Sequence, residues 1–336
     1  MKAAVLRDGV FSVETIATPT PGVGQVLVRI LACGICGSDL HLFKHAADIV
    51  RLAQELGAAP DDLTKGLVLG HEFVGEITAF GPGCVQRLAL NDRVCAMPFV
   101  EVNGTIAAIG ATTRTNGAYA QYMVLPESGL LRVRDDVETD AAALTEPLAI
   151  AVHAVKHARL TDAEEIVVIG CGPIGLAIIA LAALRGTHRI VASDLSGARR
   201  DLARLLGAEI TVDPRESSPF AQLRSRSAAT IFECVGAPGM IGRIVREAPY
   251  RSRVVIAGIC QGEDSFLPML AISKELGLQF VSYYEAEEFS EALEMLSSGR
   301  INWRPLVTST IDLEGVAEAF TALRGDNGHA KILIRP

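Results

Sequence analysis

This 336-residue sequence has few aromatic side chains, no long apolar run and no excess of positive charge. Only 5% of the residues are Phe, Trp or Tyr, although 49% are hydrophobic. The longest apolar run, residues 175–184, has about half of the ~18 residues that a membrane-spanning helix needs. With 31 Lys and Arg against 39 Asp and Glu, the net charge of −8 argues against a nucleic-acid-binding scaffold. We expect neither a membrane nor a nucleic acid as a partner.

The cysteine count and the first residues bear on the cellular compartment. Seven cysteines are an odd number and lie scattered along a long chain, which favours reduced thiols over a disulfide framework. The N-terminal residues lack the continuous apolar stretch and small-residue cleavage site of a secretory signal peptide. We therefore expect a cytoplasmic protein, and the length suggests two domains.

The texture of the sequence changes between residues 145 and 165. Before the change, short β-type segments alternate with turn signals such as Pro21-Gly22, which predicts a β-rich domain. After it, six apolar segments alternate with helical stretches, which predicts an α/β domain with a parallel, doubly wound sheet. The strand segments are 166–169, 189–193, 209–212, 230–234, 253–258 and 278–282. A helix at 287–298 and a β-rich tail follow, and we expect the tail to return to the first domain.

A glycine-rich turn follows the first of the predicted parallel strands. Residues 170–175 read GCGPIG, and an apolar helix comes next. In this context Gly170 allows the tight turn, Gly172 lets the backbone approach a pyrophosphate, and Gly175 permits close helix–strand packing. Pro173 and Ile174 open the helix, whose N-terminal N–H groups favour anions. The segment predicts a dinucleotide-binding turn.

Asp194 and Arg199 follow the next predicted strand. Asp194 lies about 20 residues after the last glycine, where a carboxylate can accept both ribose hydroxyls of NAD and repel the 2′-phosphate of NADP. Asp194 also fits a plain residue at a helix N terminus. Arg199 fits either a position beside the adenine ribose or a solvated helix charge. The pattern predicts NAD as the cofactor.

Two N-terminal segments carry metal-ligand residue types, CGICGSDLH at 33–41 and GHE at 70–72. Cys33-x-x-Cys36 by itself fits half of a structural zinc clip, but no second pair of such ligands lies nearby. One thiolate (Cys36), one imidazole (His71) and one carboxylate instead leave a fourth position open on a zinc ion. Such an open site makes a bound alcohol more acidic.

The order of motifs resembles the zinc-dependent medium-chain dehydrogenases, in the branch of alcohol, polyol and threonine dehydrogenases. The resemblance covers nearly the whole chain and rests on GICGSDLH, LGHEFVGEI, GAYAQYMVLP, EPLAIAVHAV, GCGPIG, FECVGAPG and HAKILIRP. It implies a GroES-like catalytic domain (1–147 and 283–336) split around a Rossmann domain (148–282).

The same resemblance implies roles for individual residues. Cys36 and His71 would be zinc ligands, and Glu146 falls where relatives place a cysteine or a carboxylate near the metal. Glu72 would be a second carboxylate, either behind the ligands or exchanging with them. Asp39 would orient the zinc-bound imidazole. Ser38 would take the alcohol proton and pass it through the cofactor ribose towards His41.

Each assignment has a structural alternative. Cys36 fits a buried thiol, and His71 fits a core histidine at the start of a strand. Glu146, followed by Pro147, fits an ordinary helix start. Ser38 fits a local hydrogen bond to the backbone.

The chain departs from the family pattern in three places. Many relatives bind a structural zinc through four cysteines after the strand that contains Cys95, but residues 96–117 hold none and 100–106 read as a hairpin. We therefore expect one zinc per chain. An insert at 43–65 carries Ile49, Leu52 and Leu56 at helical spacing, which favours either a channel-lining helix or a surface helix. Gly37 lacks the basic side chain that some relatives use on the pyrophosphate. Lys331 either supplies this charge or is solvent-exposed.

The leading hypothesis is an NAD-dependent zinc alcohol dehydrogenase that oxidises a small or medium alcohol, particularly a secondary alcohol or polyol. Its alternatives are a carbonyl reductase working in reverse, a non-catalytic NAD-sensing relative, and a zinc-independent quinone-type reductase. The edge segment 278–282 also predicts a homodimer, or a homotetramer made of two dimers.

Overall fold

A computed structural model describes residues 1–55, 62–102, 104–161, 165–186, 189–225, 228–323 and 328–336, with the backbone alone for 46–50, 52 and 53. The chain divides into two compact units. The first is Met1–Glu146, Ser309–Gly325 and Lys331–Pro336, and the second is Pro147–Thr308 and Asp326–Ala330. Compared with the predicted boundaries, residues 283–308 belong to the second unit.

The strands are β1 (Lys2–Arg7), β2 (Val10–Thr15), β3 (Gln25–Gly34), β4 (Leu67–Val68), β5 (Glu72–Phe80), β6 (Arg93–Ala96), β7 (Phe99–Val102), β8 (Thr105–Ala108), β9 (Tyr122–Pro126), β10 (Leu130–Arg132), β11 (Glu165–Ile169), β12 (Arg189–Ser193), β13 (Ile210–Val212), β14 (Ala229–Glu233), β15 (Arg253–Ile256), β16 (Gly277–Phe280), β17 (Val307–Ile311) and β18 (Lys331–Ile334).

The α-helices are α1 (Gly37–Glu55), α2 (Thr139–Ala142), α3 (Thr145–Ala158), α4 (Pro173–Ala183), α5 (Gly197–Leu205), α6 (Met240–Glu247), α7 (Pro268–Ser273), α8 (Ala286–Ser297) and α9 (Val316–Ala322). Short 3₁₀ helices occupy Leu63–Lys65, Glu127–Gly129, Pro219–Gln222 and Arg304–Leu306. In the described part of the chain, no helix is both long enough and apolar enough to cross a membrane.

The first unit is β-rich. Its largest sheet has the order β10-β6-β5-β3-β18-β17, with β9 also paired to β3, and a smaller sheet has the order β2-β1-β4. Strand β3 is central because Val26, Val28, Ile30 and Ala32 alternate into the core and are buried. The pairing partners of its last residues position the site described below.

The second unit contains a six-stranded parallel sheet with the order β13-β12-β11-β14-β15-β16. This is the strand order of the doubly wound dinucleotide-binding fold. Strand β11 is apolar after Glu165, as expected for a sheet with helices on both faces, and Ile166, Val167 and Val168 are fully buried. The predicted fold class, a β-rich GroES-like domain plus a Rossmann-type parallel sheet, is confirmed.

The structure also contains a helix at the start of the insert and a hairpin at the predicted position. Helix α1 runs through the first part of the insert, with non-helical backbone angles at His45. The side chains of Ile49 and Leu52, and the whole of Leu56, lie outside the described residues, so the proposed channel-lining stripe stays a prediction. Strands β7 and β8 form the predicted hairpin, and Gly104 in its turn has φ +76°.

Candidate metal centre and dinucleotide-binding turn

Cys36, His71 and Glu72 come together in the first unit. One ligand atom from each of these three residues lies within 4.8 Å of the other two. Ligand atoms that are about 2.0–2.3 Å from one zinc ion lie within about 4.6 Å of each other, so this spacing fits a shared ion with little adjustment. The donor set of thiolate, imidazole and carboxylate is also one that zinc favours.

Strand pairing explains this convergence. Gly34 at the end of β3 lies opposite Glu72 at the start of β5, and opposite Leu333 in β18. Cys36 follows β3 by two residues and His71 immediately precedes β5, so the antiparallel pairing brings the two segments to the same end of the sheet.

Asp39 supports both His71 and the Cys36 segment from behind. Its Oδ1 lies 3.4 Å from His71 Nδ1, and its Oδ2 accepts hydrogen bonds from the Cys36 backbone N–H at 3.0 Å and from the Tyr119 hydroxyl at 2.7 Å. Burial raises the pKa of the Asp39 carboxyl, but His71 and these hydrogen bonds outweigh burial and lower it overall. The carboxylate is therefore stable as an anion in a buried place, and it fixes the orientation of the imidazole.

The surroundings of His71 favour positive charge. Burial lowers the pKa of His71, but the charges of Asp39 and Cys36 outweigh it and raise this pKa well above its usual value. A site that stabilises a proton on this imidazole also stabilises a metal cation beside it.

Lys331 lies in the same cluster. From the sequence we expected either a pyrophosphate ligand or a solvent-exposed lysine, and the second expectation is wrong because only 2% of Lys331 is exposed. Its Nζ lies 2.7 and 2.6 Å from the two carboxylate oxygens of Glu72 and donates to the Ile35 carbonyl at 2.9 Å. The ammonium is thus engaged inside the first unit, and we do not propose the pyrophosphate role further.

Glu146 lies in the first turn of α3 and is 8% exposed. It is not a member of the Cys36–His71–Glu72 group among the described residues. Its charge nevertheless acts on Lys331, so this carboxylate belongs to the surroundings of the cluster.

Ser38 and His41 lie three residues apart on α1, and therefore on one face of the helix. Ser38 Oγ lies 3.4 Å from His71 Nε2, which is close to the candidate metal ligands. His41 is half-buried, and burial together with the charges of Lys44 and His45 lowers its pKa. Its ring is therefore neutral at pH 7.

In the second unit, the three predicted glycines occupy geometries that match their expected roles. Gly170 has φ +94°, in the left-handed region that favours glycine. A Cβ on Gly175 would lie 1.9 Å from the Gly170 carbonyl oxygen, whereas a Cβ on Gly172 would meet nothing within 4 Å. The turn is thus closed on the side of the strand and open at Gly172, where α4 begins with Pro173.

Asp194 folds back onto this turn. Its Oδ2 accepts a hydrogen bond from the Cys171 backbone N–H at 2.7 Å, and its Oδ1 accepts one from the Ser196 backbone N–H at 2.8 Å. The carboxylate therefore stands beside the glycine-rich turn at the end of β12, in the position that contacts a ribose in this fold. Arg199 Nε donates to the His329 carbonyl at 3.0 Å.

Two features of these sites were missed in the sequence. Tyr119 is fully buried and holds Asp39, although it reads as one more apolar strand-side residue in GAYAQYMVLP. Arg200 donates to the Asp194 carbonyl at 2.8 Å and pairs with Asp213 at 3.1 Å, which braces the loop after β12. No local periodicity signals either contact.

Each of the two units contains a segment that matches a known protein family. Residues 22–135 match the family described as "Alcohol dehydrogenase GroES-like domain", and residues 173–298 match the family described as "Zinc-binding dehydrogenase". The chain belongs to the zinc-type medium-chain dehydrogenase/reductase family, as its motifs predicted.

Curated relatives match the chain over nearly its full length. (R,R)-butanediol dehydrogenase of Bacillus subtilis is 29% identical, with 96% of each chain covered. A probable D-xylulose reductase A of Aspergillus fumigatus is 28% identical, with 96% of this chain and 93% of the relative covered.

Solved structures of dehydrogenases are also similar to the chain over nearly its full length. The crystal structure of 2R,3R-butanediol dehydrogenase from Bacillus subtilis matches with a TM-score of 0.85 and 29% identity, covering 100% of this chain and 99% of the other. A zinc-binding dehydrogenase from Sinorhizobium meliloti, bound to NADP, has a TM-score of 0.85 and 25% identity with the same coverage. The chain is thus an oxidoreductase of the alcohol dehydrogenase type.

Proposed function

We propose that this oxidoreductase is a zinc- and NAD-dependent dehydrogenase of a small secondary alcohol or polyol. The observation that carries the proposal is the group of Cys36, His71 and Glu72, in which Glu72 is buried and the other two residues are half-buried. The names of two relatives, a butanediol dehydrogenase and a probable D-xylulose reductase, support the substrate class.

Cys36 and His71 would hold the zinc ion together with a carboxylate from Glu72 or Glu146. When bound, zinc supplies Lewis acidity towards the alcohol oxygen. Asp39 keeps the His71 ring in one orientation, and Tyr119 keeps Asp39 in place through a 2.7 Å hydrogen bond.

Ser38 and His41 would carry the alcohol proton away. Ser38 Oγ lies 3.4 Å from His71 Nε2, and it would take the proton first. His41, one turn further along α1, has a lowered pKa and is therefore available as a neutral base. The cofactor ribose would join these two groups, as the family resemblance implies.

The cofactor would be NAD rather than NADP. Gly170, Gly172 and Gly175 would admit the pyrophosphate to the N terminus of α4, and NAD supplies the hydride acceptor. Asp194 supports the choice because its carboxylate beside the turn would accept ribose hydroxyls and repel a 2′-phosphate. Arg199 would flank the adenine ribose.

The test combines metal analysis with a substrate screen. Carefully loaded protein should contain about one zinc per chain and should oxidise secondary alcohols or polyols with NAD⁺. Full activity after complete removal of zinc by a chelator would contradict the zinc mechanism. Cofactor binding without turnover of any alcohol or carbonyl compound would instead favour a non-catalytic NAD sensor.

We also propose that the protein is a homodimer, or a homotetramer built from two dimers. The edge strand β16 and the neighbouring helix α7 expose apolar side chains, with Met269 68%, Ile272 75% and Phe280 61% exposed. Such an edge favours pairing with a second copy. Light scattering at micromolar concentration should give at least the dimer mass, and a monomer would refute the proposal.

All seven cysteines are free thiols, which supports a reducing, cytoplasmic location.

A further inference from the structure

Glu72 and Lys331 form an ion pair that solvent hardly reaches. Lys331 Nζ lies 2.7 and 2.6 Å from the two carboxylate oxygens, and the residues are 0% and 2% exposed. Burial of two charges has a desolvation cost that often cancels their attraction, so the pair alone is a poor source of stability. Its position beside Cys36 and His71 therefore points to a role at the metal centre.

Three strands leave a space for this pair. Glu72 begins β5, Lys331 begins β18, and Gly34 lies between them in β3. A Cβ on Gly34 would lie 2.1 Å from Glu72 Oε2 and 3.1 Å from Lys331 Cδ. Only a glycine in the central strand leaves room for both side chains to meet.

Both oxygens of Glu72 face the Lys331 ammonium, although Glu72 also belongs to the group whose ligand atoms lie within 4.8 Å of one another. Lys331 also lies within the electrostatic influence of Cys36 and Glu146. A cation held by Cys36 and His71 must therefore share the Glu72 carboxylate with the ammonium or take it away.

We propose that Lys331 is a positioning residue that competes with the metal cation for Glu72 and so keeps one coordination position open for the alcohol. The inference rests on the proposed zinc-dependent function. With Cys36, His71 and Glu146 as the other three ligands, a permanently bound Glu72 would be the fourth and would close the site, whereas a catalytic zinc needs an open position. Without the ammonium, the cation would attract the Glu72 carboxylate with no competition from Lys331, and the carboxylate would become a permanent ligand.

A double-mutant cycle on zinc affinity tests this competition. Zinc dissociation constants are measured by competition with a chromophoric chelator for the wild type, Lys331→Met, Glu72→Gln and the double variant. Lys331→Met should bind zinc about tenfold more tightly or better, an effect of the size seen for groups behind metal ligands. Glu72→Gln should weaken zinc binding much more in the Lys331→Met background than in the wild type.

Cobalt substitution gives a second readout that does not depend on turnover. The visible absorption of Co²⁺ at the site should weaken in Lys331→Met, because an added ligand raises the coordination number. Lys331→Arg should retain the wild-type spectrum and zinc affinity. An unchanged spectrum together with unchanged or weaker zinc affinity in Lys331→Met would overturn the inference.

Loss of one partner of a buried ion pair can also prevent folding. If Lys331→Met does not fold, the comparison of Glu72→Gln with His71→Ala decides. The inference expects Glu72→Gln to weaken zinc binding less than tenfold and His71→Ala to abolish it, whereas equal losses would make Glu72 a permanent ligand and refute the competition. Failure of the wild type to bind zinc would refute the proposed function itself, which is a different result.

Discussion

The two candidate sites are built in opposite ways. The dinucleotide-binding turn and Asp194 lie on one continuous segment, from β11 through α4 to the end of β12. The metal centre collects residues from β3, α1, β5 and β18 and from the segments beside them, and the Glu72–Lys331 pair joins positions 259 residues apart in the chain. The first site depends on local backbone geometry, and the second depends on the pairing of distant strands.

This difference determines how each site responds to change. At the turn, an added methyl group would meet a backbone atom at Gly175 and nothing within 4 Å at Gly172, so the cost depends on which glycine receives it. At the metal centre, a change in one side chain alters the charge or the hydrogen bonds of several others, because Cys36, Asp39, His71 and Tyr119 are connected. We therefore expect steric effects in the second unit and electrostatic effects in the first.

The largest expected effect is at the metal centre. Cys36→Ala or His71→Ala should reduce kcat/KM by several orders of magnitude and should lower the bound zinc, because each removes a proposed ligand. Zinc content and steady-state kinetics measure both effects. Cys84→Ala is the matched control, a cysteine whose thiol bonds to the Gln25 carbonyl at 3.2 Å. Wild-type kinetics in either ligand variant would contradict the site.

Two glycine variants separate packing from cofactor binding at the turn. Gly175→Ala should destabilise the fold by about 1–3 kcal/mol or more, because its Cβ would lie 1.9 Å from the Gly170 carbonyl oxygen. Gly172→Ala should leave the melting temperature nearly unchanged but weaken NAD binding, because its open side faces the proposed pyrophosphate position. Calorimetry and fluorescence titration measure the two quantities. Equal losses of stability would show that the asymmetry is absent.

Asp194 should set cofactor preference. The wild type should use NAD⁺ at least about tenfold better than NADP⁺ in kcat/KM, since the carboxylate repels the 2′-phosphate. Asp194→Asn removes the charge with little change in shape and should reduce that ratio, while exposed Asp201→Asn on α5 should not. Equal use of both cofactors by the wild type would defeat the assignment.

A smaller effect is expected behind the metal ligands. Tyr119→Phe removes only the hydroxyl that donates to Asp39 Oδ2, and should weaken zinc binding by about tenfold. Tyr122→Phe, on β9 three residues later, is the control and should change nothing. Zinc affinity that is the same in both variants would mean that Tyr119 does not support the centre.

The smallest effect concerns protonation of His41. Burial, with the charges of Lys44 and His45, lowers the folded-state pKa below the usual 6.5. The unfolded state then binds more protons in the window just below pH 6.5, so this contribution to the free energy of unfolding decreases as pH falls. NMR titration should place the His41 midpoint below 6.5, and His41→Gln should remove the contribution. A midpoint at or above 6.5 would contradict the burial argument.

Much of the fold was predictable from local patterns. The apolar segments 166–169 and 189–193 coincide closely with β11 and β12. They were recognisable because strands of a parallel sheet are buried on both faces and therefore contain few polar residues. The glycine-rich turn was also predictable from a local pattern, since each glycine is needed for the backbone conformation or the close packing of residues a few positions away. Residues 283–308 were not assigned to the second unit, because a helical pattern shows a buried face but not what covers it.

The sequence by itself determined the residue types at both sites, the presence of a parallel doubly wound sheet and the family. The tertiary structure alone decided that Lys331 pairs with Glu72, that Tyr119 holds Asp39, and that Glu72 rather than Glu146 joins Cys36 and His71 within ligand distance. The physical reason is the range of the interactions. Turn geometry and burial act between neighbours in the chain, whereas a buried charge finds its partner through strand register, which periodicity does not record.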